Sequence, residues 1–316
     1  PSSNNAFTIS IEDSSVEVIE LISLDSATSL PINGSGIGLI QGDFSLLYHL
    51  YRGLGSEAFI GIDAANLEVT GDLNVAFANL LDELTTGSIS GSITSEDIDT
   101  LKLLNGDNNS YSITISGSDA TSSTAADLNA INTLTTVAVN LTNVTALAAS
   151  SLSDLGTLAN AITNNEFSND TGLTTIAVSD TSIDATTLLS TVNSYDTING
   201  GSTTNMTLAS GATINVNADE VTRLLADETA GRLTINDQSI IVNGEIPAVF
   251  ASQLSSTTSG LVTATIQEKT MGSLAVLPSS NNAFTISIED SSVEVIELIS
   301  LDSATSLPIN GSGIGL

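Results

Sequence analysis

The chain has 316 residues, no cysteine and no tryptophan, and carries 36 acidic residues against five basic ones, a formal charge of −31. Such a surface repels phosphate backbones and anionic lipid, whose recognition needs clustered Lys and Arg, and the lack of cysteine excludes disulfide frameworks and thiolate chemistry. Hydrophobic residues reach 41% but aromatic ones only 3%, so a core of Ile, Val, Leu and Ala in regular layers is expected rather than disorder.

In chain order, alternation with period two predicts strands at Phe7–Ile9–Ile11, Ile113–Ile115, Val137–Val139, Ile176–Val178, Ile214–Val216 and Val262–Ala264–Ile266, each with one apolar face and a Thr/Ser face opposite. Polar caps followed by helical spacing come after several strands. Ser14-Ser15-Val16-Glu17 reads as a capping box leading into Val16, Ile19 and Ile22. Asp72 precedes an apolar face of Leu73, Phe77, Leu80, Leu81 and Leu84, and Thr94 with Asp97 precedes Ile98 and Leu101. Asn217 with Glu220 opens Val221, Leu224 and Leu225, and Asn243 leads through Ile246 and Pro247 to Val249 and Phe250. No apolar run approaches the ~18 residues of a membrane span, so no membrane insertion is expected in this stretch.

Residues 1–39 and 278–316 are identical, a repeat of period 277. This divides the chain into one full repeat, 1–277, and the start of the next, 278–316, and both ends read as cuts in a longer array. Repeats of this kind decide the architecture. One inward residue per strand (Ile11, Ile40, Ile62, Ile93, Ile115, Val139, Val178, Val216, Val242, Ile266, Ile288) marks units of similar length, with a further strand expected near Met206–Leu208. A doubly wound α/β fold would also alternate strands and helices. The short, near-equal units and the tandem copy favour an α/β repeat: a β-solenoid of stacked strand-plus-short-helix coils, about ten per repeat, rising roughly 48 Å at about 4.8 Å per coil.

Residues 85–140, TTGSISGSITSEDIDTLKLLNGDNNSYSITISGSDATSSTAADLNAINTLTTVAVN, resemble repeats of giant cell-surface proteins of marine bacteria, especially picocyanobacteria. The shared pattern is a Thr/Ser-rich β segment, then an Ala/Asp/Leu-rich helix, with almost no basic residue. It is clearest from about 85 to 225. The resemblance implies secretion, great length and a role in adhesion, motility or protection, and it carries over no site residues.

Catalysis is not expected. His49 is the lone histidine, and Arg52, Lys102, Arg223, Arg232 and Lys269 are scattered. No cofactor is required by the sequence, and calcium is the one metal it suggests, because Ca²⁺ takes six to eight oxygen ligands. The oxygen-rich turn with Asp107 and Asn109 and the acidic stretch with Asp97 and Asp99 are the candidate ligands, against the plainer reading of a turn and a helix start. Phe44, Tyr48, Tyr51 and Arg52, on a helix expected from Asp43 to Gly53, form a candidate contact patch between neighbouring chains. The plainer reading is a core helix with its Tyr tips in water. Asn-X-Ser/Thr sequons occur at Asn33, Asn108, Asn140, Asn143, Asn169, Asn205 and Asn310. The function expected is a structural repeat of a long extracellular or cell-surface protein, forming a rod, fibre or coat with neighbouring copies of itself as partners. The alternative is the stalk of a calcium-dependent adhesin.

Overall fold

Of the expected period-two segments, Ile176–Val178, Ile214–Val216 and Val262–Ile266 form strands, whereas 7–11 and 113–115 carry only isolated bridges at Ser10 and Thr114 and 137–139 is strand only from Val139. All strand pairings among the described residues are parallel. The structure is a computed structural model that describes residues 6–94, 96–105, 108–201, 203–280, 282–311 and 314. It is a mixed α/β chain with several parallel sheets and no closed barrel. Parallel neighbours need a crossover of a dozen or more residues, and many of the short helices lie in such crossovers. Paired residues are separated by twenty positions (Ser90 with Ser110) to thirty-one (Ser182 with Thr213).

The chain divides into two compact bodies, Pro1–Val144 with Ala161–Gly172, and Thr145–Asn160 with Leu173–Leu316. The first holds a five-stranded sheet whose strands follow chain order: Ser15–Glu17, Leu39–Gly42, Asn66–Leu73, Ile89–Ile93 and Ser110–Ser112. Two small sheets lie beside it, Ile32–Asn33 with Phe59–Ile60 and Val139–Asn140 with Phe167–Ser168. The second holds a four-stranded sheet (Ala146–Ser150, Thr175–Val178, Asn205–Thr207, Leu233–Thr234) and a five-stranded one (Ser182–Asp184, Thr213–Asn217, Ser239–Ile246, Val262–Ile266, Ala283–Thr285), also ordered along the chain. Segment 278–316 belongs to this second body, packed through Ala283–Thr285 on Val262–Ile266.

Several expectations need correction. The single series of inward markers mixes two columns of strands: Ile40 and Ile93 lie in the first five-stranded sheet, whereas Val139 pairs with Phe167 in a separate sheet. A strand pair broken by a short turn, such as Ile32–Asn33 then Leu39–Gly42, supplies both columns. Ser14 opens no helix. Ser15–Glu17 is a strand, the helix is Val18–Asp25, and it buries Val18 and Leu21 rather than Ile19. Likewise Asn74, not Asp72, caps Val75–Asp82, which buries Val75, Ala78 and Leu81 and leaves Phe77 exposed. The shift arises because Leu73 still belongs to the preceding strand. The helix Ala248–Thr257 leaves Val249 exposed and buries Ala248, Ala251 and Leu254. The helices at Ile98–Leu101 and Val221–Thr229, and the strand Asn205–Thr207, lie where the sequence places them.

The core is almost wholly aliphatic, with Ile, Val, Leu and Ala from alternate strand positions. Through it runs a set of hydroxyls, buried except for the half-buried Thr135. After the helical stretches, Thr28, Thr85, Thr135, Thr258 and Thr305 each accept the N–H two residues on, at Leu30, Gly87, Val137, Gly260 and Leu307. Each also donates to a carbonyl 20 to 24 residues back: Phe7 (2.8 Å), Ala65 (2.7 Å), Tyr111 (2.7 Å), Gln238 (2.6 Å) and Phe284 (2.8 Å). One hydroxyl thereby closes its own turn and joins that turn to the preceding strand–helix segment. Buried backbone groups must be paired, and these turns pass close to the neighbour below. A Cβ on Gly87 would sit 2.3 Å from the Ala65 carbonyl oxygen, and one on Gly260 would sit 2.3 Å from that of Gln238.

Replacing Thr85 by Val keeps the shape and removes the hydroxyl's bonds to the Ala65 and Asp63 carbonyls and from the Gly87 N–H. Denaturant unfolding is expected to show a loss of about 1–3 kcal/mol, because two buried backbone groups lose their partner. Thr86→Val is the control, since its hydroxyl makes only an exposed 3.3 Å bond to Asp63, and it is expected to change stability by less than about 0.5 kcal/mol.

Candidate functional site

The residues proposed for calcium have other work in the fold. Asp97 caps the helix Ile98–Leu101, accepting the Thr100 N–H at 2.9 Å and the Thr100 hydroxyl at 2.9 Å. Those bonds, the backbone one first, hold its carboxyl below the ordinary value of 3.8. Asp99 is exposed and lies 3.4 Å from the Lys102 ammonium. Asn109 is buried: its Oδ1 accepts the Ile89 N–H at 2.7 Å and its Nδ2 donates to Asp82 at 3.0 Å. Asp107 lies outside the described residues. Among the described residues, no three His, Cys, Asp or Glu side chains come together in a group able to hold a metal ion.

The aromatic patch is largely engaged within the chain. Its helix runs Phe44–Tyr48, capped by Asp43, and widens into a π turn over His49–Leu54. Phe44 stacks on Phe77 with ring centroids 4.0 Å apart and lies 5.7 Å from Tyr48. Tyr51 donates its hydroxyl to the Ile62 carbonyl at 2.9 Å, and burial pushes its ionisation well above the usual tyrosine range. Arg52 reaches Glu83 at 3.8 Å. Phe44, Tyr48 and Tyr51 are half-buried, so the patch offers ring edges and one exposed cation rather than a bare aromatic face.

Every basic side chain is paired. Lys102 joins Asp99 and Asp127, Lys269 joins Glu289 at 2.6 Å, and Arg223 and Arg232 converge on the buried Asp227, with Arg232 also 3.7 Å from Asp196.

Many carboxylates have a repeated task that motif reading missed. Glu96 accepts the Val75 N–H (3.1 Å), Asp119 that of Ile98 (2.8 Å), Asp180 that of Leu152 (2.8 Å), Glu268 that of Ala248 (2.7 Å) and Asp290 that of Met271 (2.6 Å). In each case an acid from a later segment caps the start of an earlier helix, where free N–H groups and the helix dipole favour negative charge. Asp43, Asp97 and Asp184 cap their own helices. The signal available in the sequence was an acid recurring 19 to 28 residues after the start of these five helices, a spacing visible only once the pairing register is known.

A groove of about 740 Å³ lies along the helices Val221–Thr229 and Ala248–Thr257. Its lining includes Leu225, Ala226, Phe250 and Gln253 with Ser and Thr hydroxyls, and none of its lining side chains titrates near neutral pH. Among the described residues, no helix is long and apolar enough to cross a membrane. Several sequon asparagines serve as connectors: Asn205 donates to the Gly231 carbonyl, and Asn169 donates to Asn140. Comparison with protein-family models, curated proteins and solved structures finds no match to this chain.

Asp127 offers a test of these paired carboxylates. Burial alone would raise its ionisation, but the Lys102 ammonium and the Thr124 hydroxyl and N–H outweigh it and hold the group below 3.8. A carboxyl lowered in the fold stabilises fully above its unfolded value and loses that contribution as pH falls through its folded value. Asp127→Ala is therefore expected to be less stable than the parent at pH 7. The deficit should shrink below about pH 4 as the parent takes up its proton, and parallel melts of both proteins across pH 2–7 check it.

Proposed function

We propose that this chain is a structural repeat of a very long extracellular or cell-surface protein, folded as a β-solenoid of stacked coils that forms a rod, fibre or coat. The observation that carries the reading is the coupling between successive strand–helix segments. Strands pair in parallel in chain order, hydroxyls such as Thr85 and Thr258 bond the segment before, and acids such as Glu268 and Asp290 cap the helix before. A fold stabilised by contacts between neighbours along the chain gains from length, because each added segment brings an interface. The identity of residues 1–39 with 278–316 supplies the same pattern at the larger scale.

The chemistry of the surface supports a passive role. The five cations are held in ion pairs, the groove along Val221–Thr229 and Ala248–Thr257 has no titrating group, and much of the charge serves as caps. Remaining acids and the Ser/Thr faces keep neighbouring rods soluble and mutually repelling. Neighbouring copies of the repeat are the proposed partners, and secretion follows from the resemblance to giant bacterial surface proteins.

The size of the native polypeptide tests this directly. Protein sheared from the cell surface and run on a denaturing agarose gel should give a band many times the 32.2 kDa of this chain. A band near that mass would mean separate subunits and would overturn the tandem reading.

A further inference from the structure

Because residues 1–39 recur as 278–316, the same amino acids are seen in two settings. Where both copies are described, several internal contacts are shared. Ser10 bridges Asn33 as Ser287 bridges Asn310, and Thr28 donates to Phe7 as Thr305 donates to Phe284, both at 2.8 Å. The helix Val18–Asp25 matches Val295–Asp302.

What differs is the face that is covered. In the later copy, Ala283–Thr285 pairs with Val262–Ile266, Phe284, Ile286 and Ile288 are buried, Glu289 meets Lys269, and Asp290 caps the Met271 N–H. Phe284 is 0% exposed, whereas its equivalent Phe7 is 56% exposed. In the earlier copy the opposite side is closed: Ser15–Glu17 pairs with Leu39–Gly42, and Val18 is 1% exposed against 63% for Val295. The fit there is close, since a Cβ on Gly42 would lie 2.1 Å from Val18 Cγ1.

The two sets of contacts use different atoms of one segment and do not compete. We propose that the apolar face bearing Val293, Val295 and Leu298, whose counterparts Val16, Val18 and Leu21 are buried in the earlier copy, is covered by the next copy of the repeat in the same polypeptide, through the counterpart of Leu39–Gly42. The register is that of Ser15 with Leu39, Val16 with Ile40 and Glu17 with Gln41. The 39-residue segment is then a two-faced coil, closed on one side by the end of its own repeat and on the other by the body of the following one. Successive repeats join without a linker, as one uninterrupted solenoid rather than as beads on a string. This inference rests on the tandem reading and adds to it the geometry of the boundary.

The absence of cysteine allows a single-thiol test. Val295→Cys is placed in the 316-residue chain and in a tandem where a second copy of residues 40–316 follows Leu316, and its rate of reaction with a soluble thiol reagent is measured. Val18→Cys in the single chain gives the rate for the covered position. The expected result is fast modification of Val295→Cys in the single chain, slowed by roughly tenfold or more in the tandem. Gly42→Val in the second copy should restore the fast rate by obstructing the seam. An unchanged rate in the tandem would overturn the proposal. A large native polypeptide with a still-reactive Val295→Cys would mean linked beads, so that the seam fails and the tandem function stands. A small native polypeptide with a protected thiol would mean the reverse.

Discussion

A parallel strand–helix segment in this chain brings its next turn down onto the backbone of the segment before it, and the carbonyl it lands on must be paired in a dry interior. The buried threonine hydroxyl solves this. At Thr85 and Thr258 one oxygen accepts the N–H of a following glycine and gives its proton to a carbonyl of the preceding segment, Ala65 or Gln238. The glycine that follows is needed for room as much as for the bond, since a side chain there would strike the same carbonyl. Where asparagine occupies the turn, as at Asn109 and Asn282, its amide does related work, taking the N–H of Ile89 or Val262. Each such connection links neighbours and nothing further away, which is why the fold suits extension along the chain.

The same economy explains much of the charge. A net charge of −31 would ordinarily weaken a compact state by self-repulsion. Here many acids sit at helix starts, where unpaired N–H groups await a negative partner, and others hold the five cations. Asp127 does both, completing a capping box with Thr124 and binding Lys102. The acidity is therefore part of the internal bonding pattern, and calcium is not needed to account for the dense carboxylates around Asp97.

Much of the plan was legible in the sequence. Ile214–Val216 and Val262–Ala264–Ile266 alternate cleanly and form buried strands, and Asp97 with Ile98 and Leu101 marks a real helix start. Other elements escaped. The helix Ala185–Ile198 is rich in Thr and Ser, weak helix formers that blur the apolar spacing. Val16 and Leu73 fit a helical pattern in the sequence because an apolar residue at the end of a strand also suits the first turn of the helix that follows it. Phe7 shows a further limit: its alternation with Ile9 and Ile11 forms no strand and leaves it exposed, while the identical Phe284 lies in the strand Ala283–Thr285 and is buried. Whether an apolar face is covered depends on what lies beside it, and no reading of the segment alone contains that neighbour.

Fibre diffraction from an oriented preparation of the native polypeptide tests the central claim most directly. If each segment hydrogen-bonds only to the segments before and after it, the inter-strand repeat of about 4.8 Å must lie along the long axis. A strong reflection at that spacing, parallel to the fibre direction, is the predicted result. The same reflection perpendicular to the fibre, with strands running lengthwise, would contradict the account.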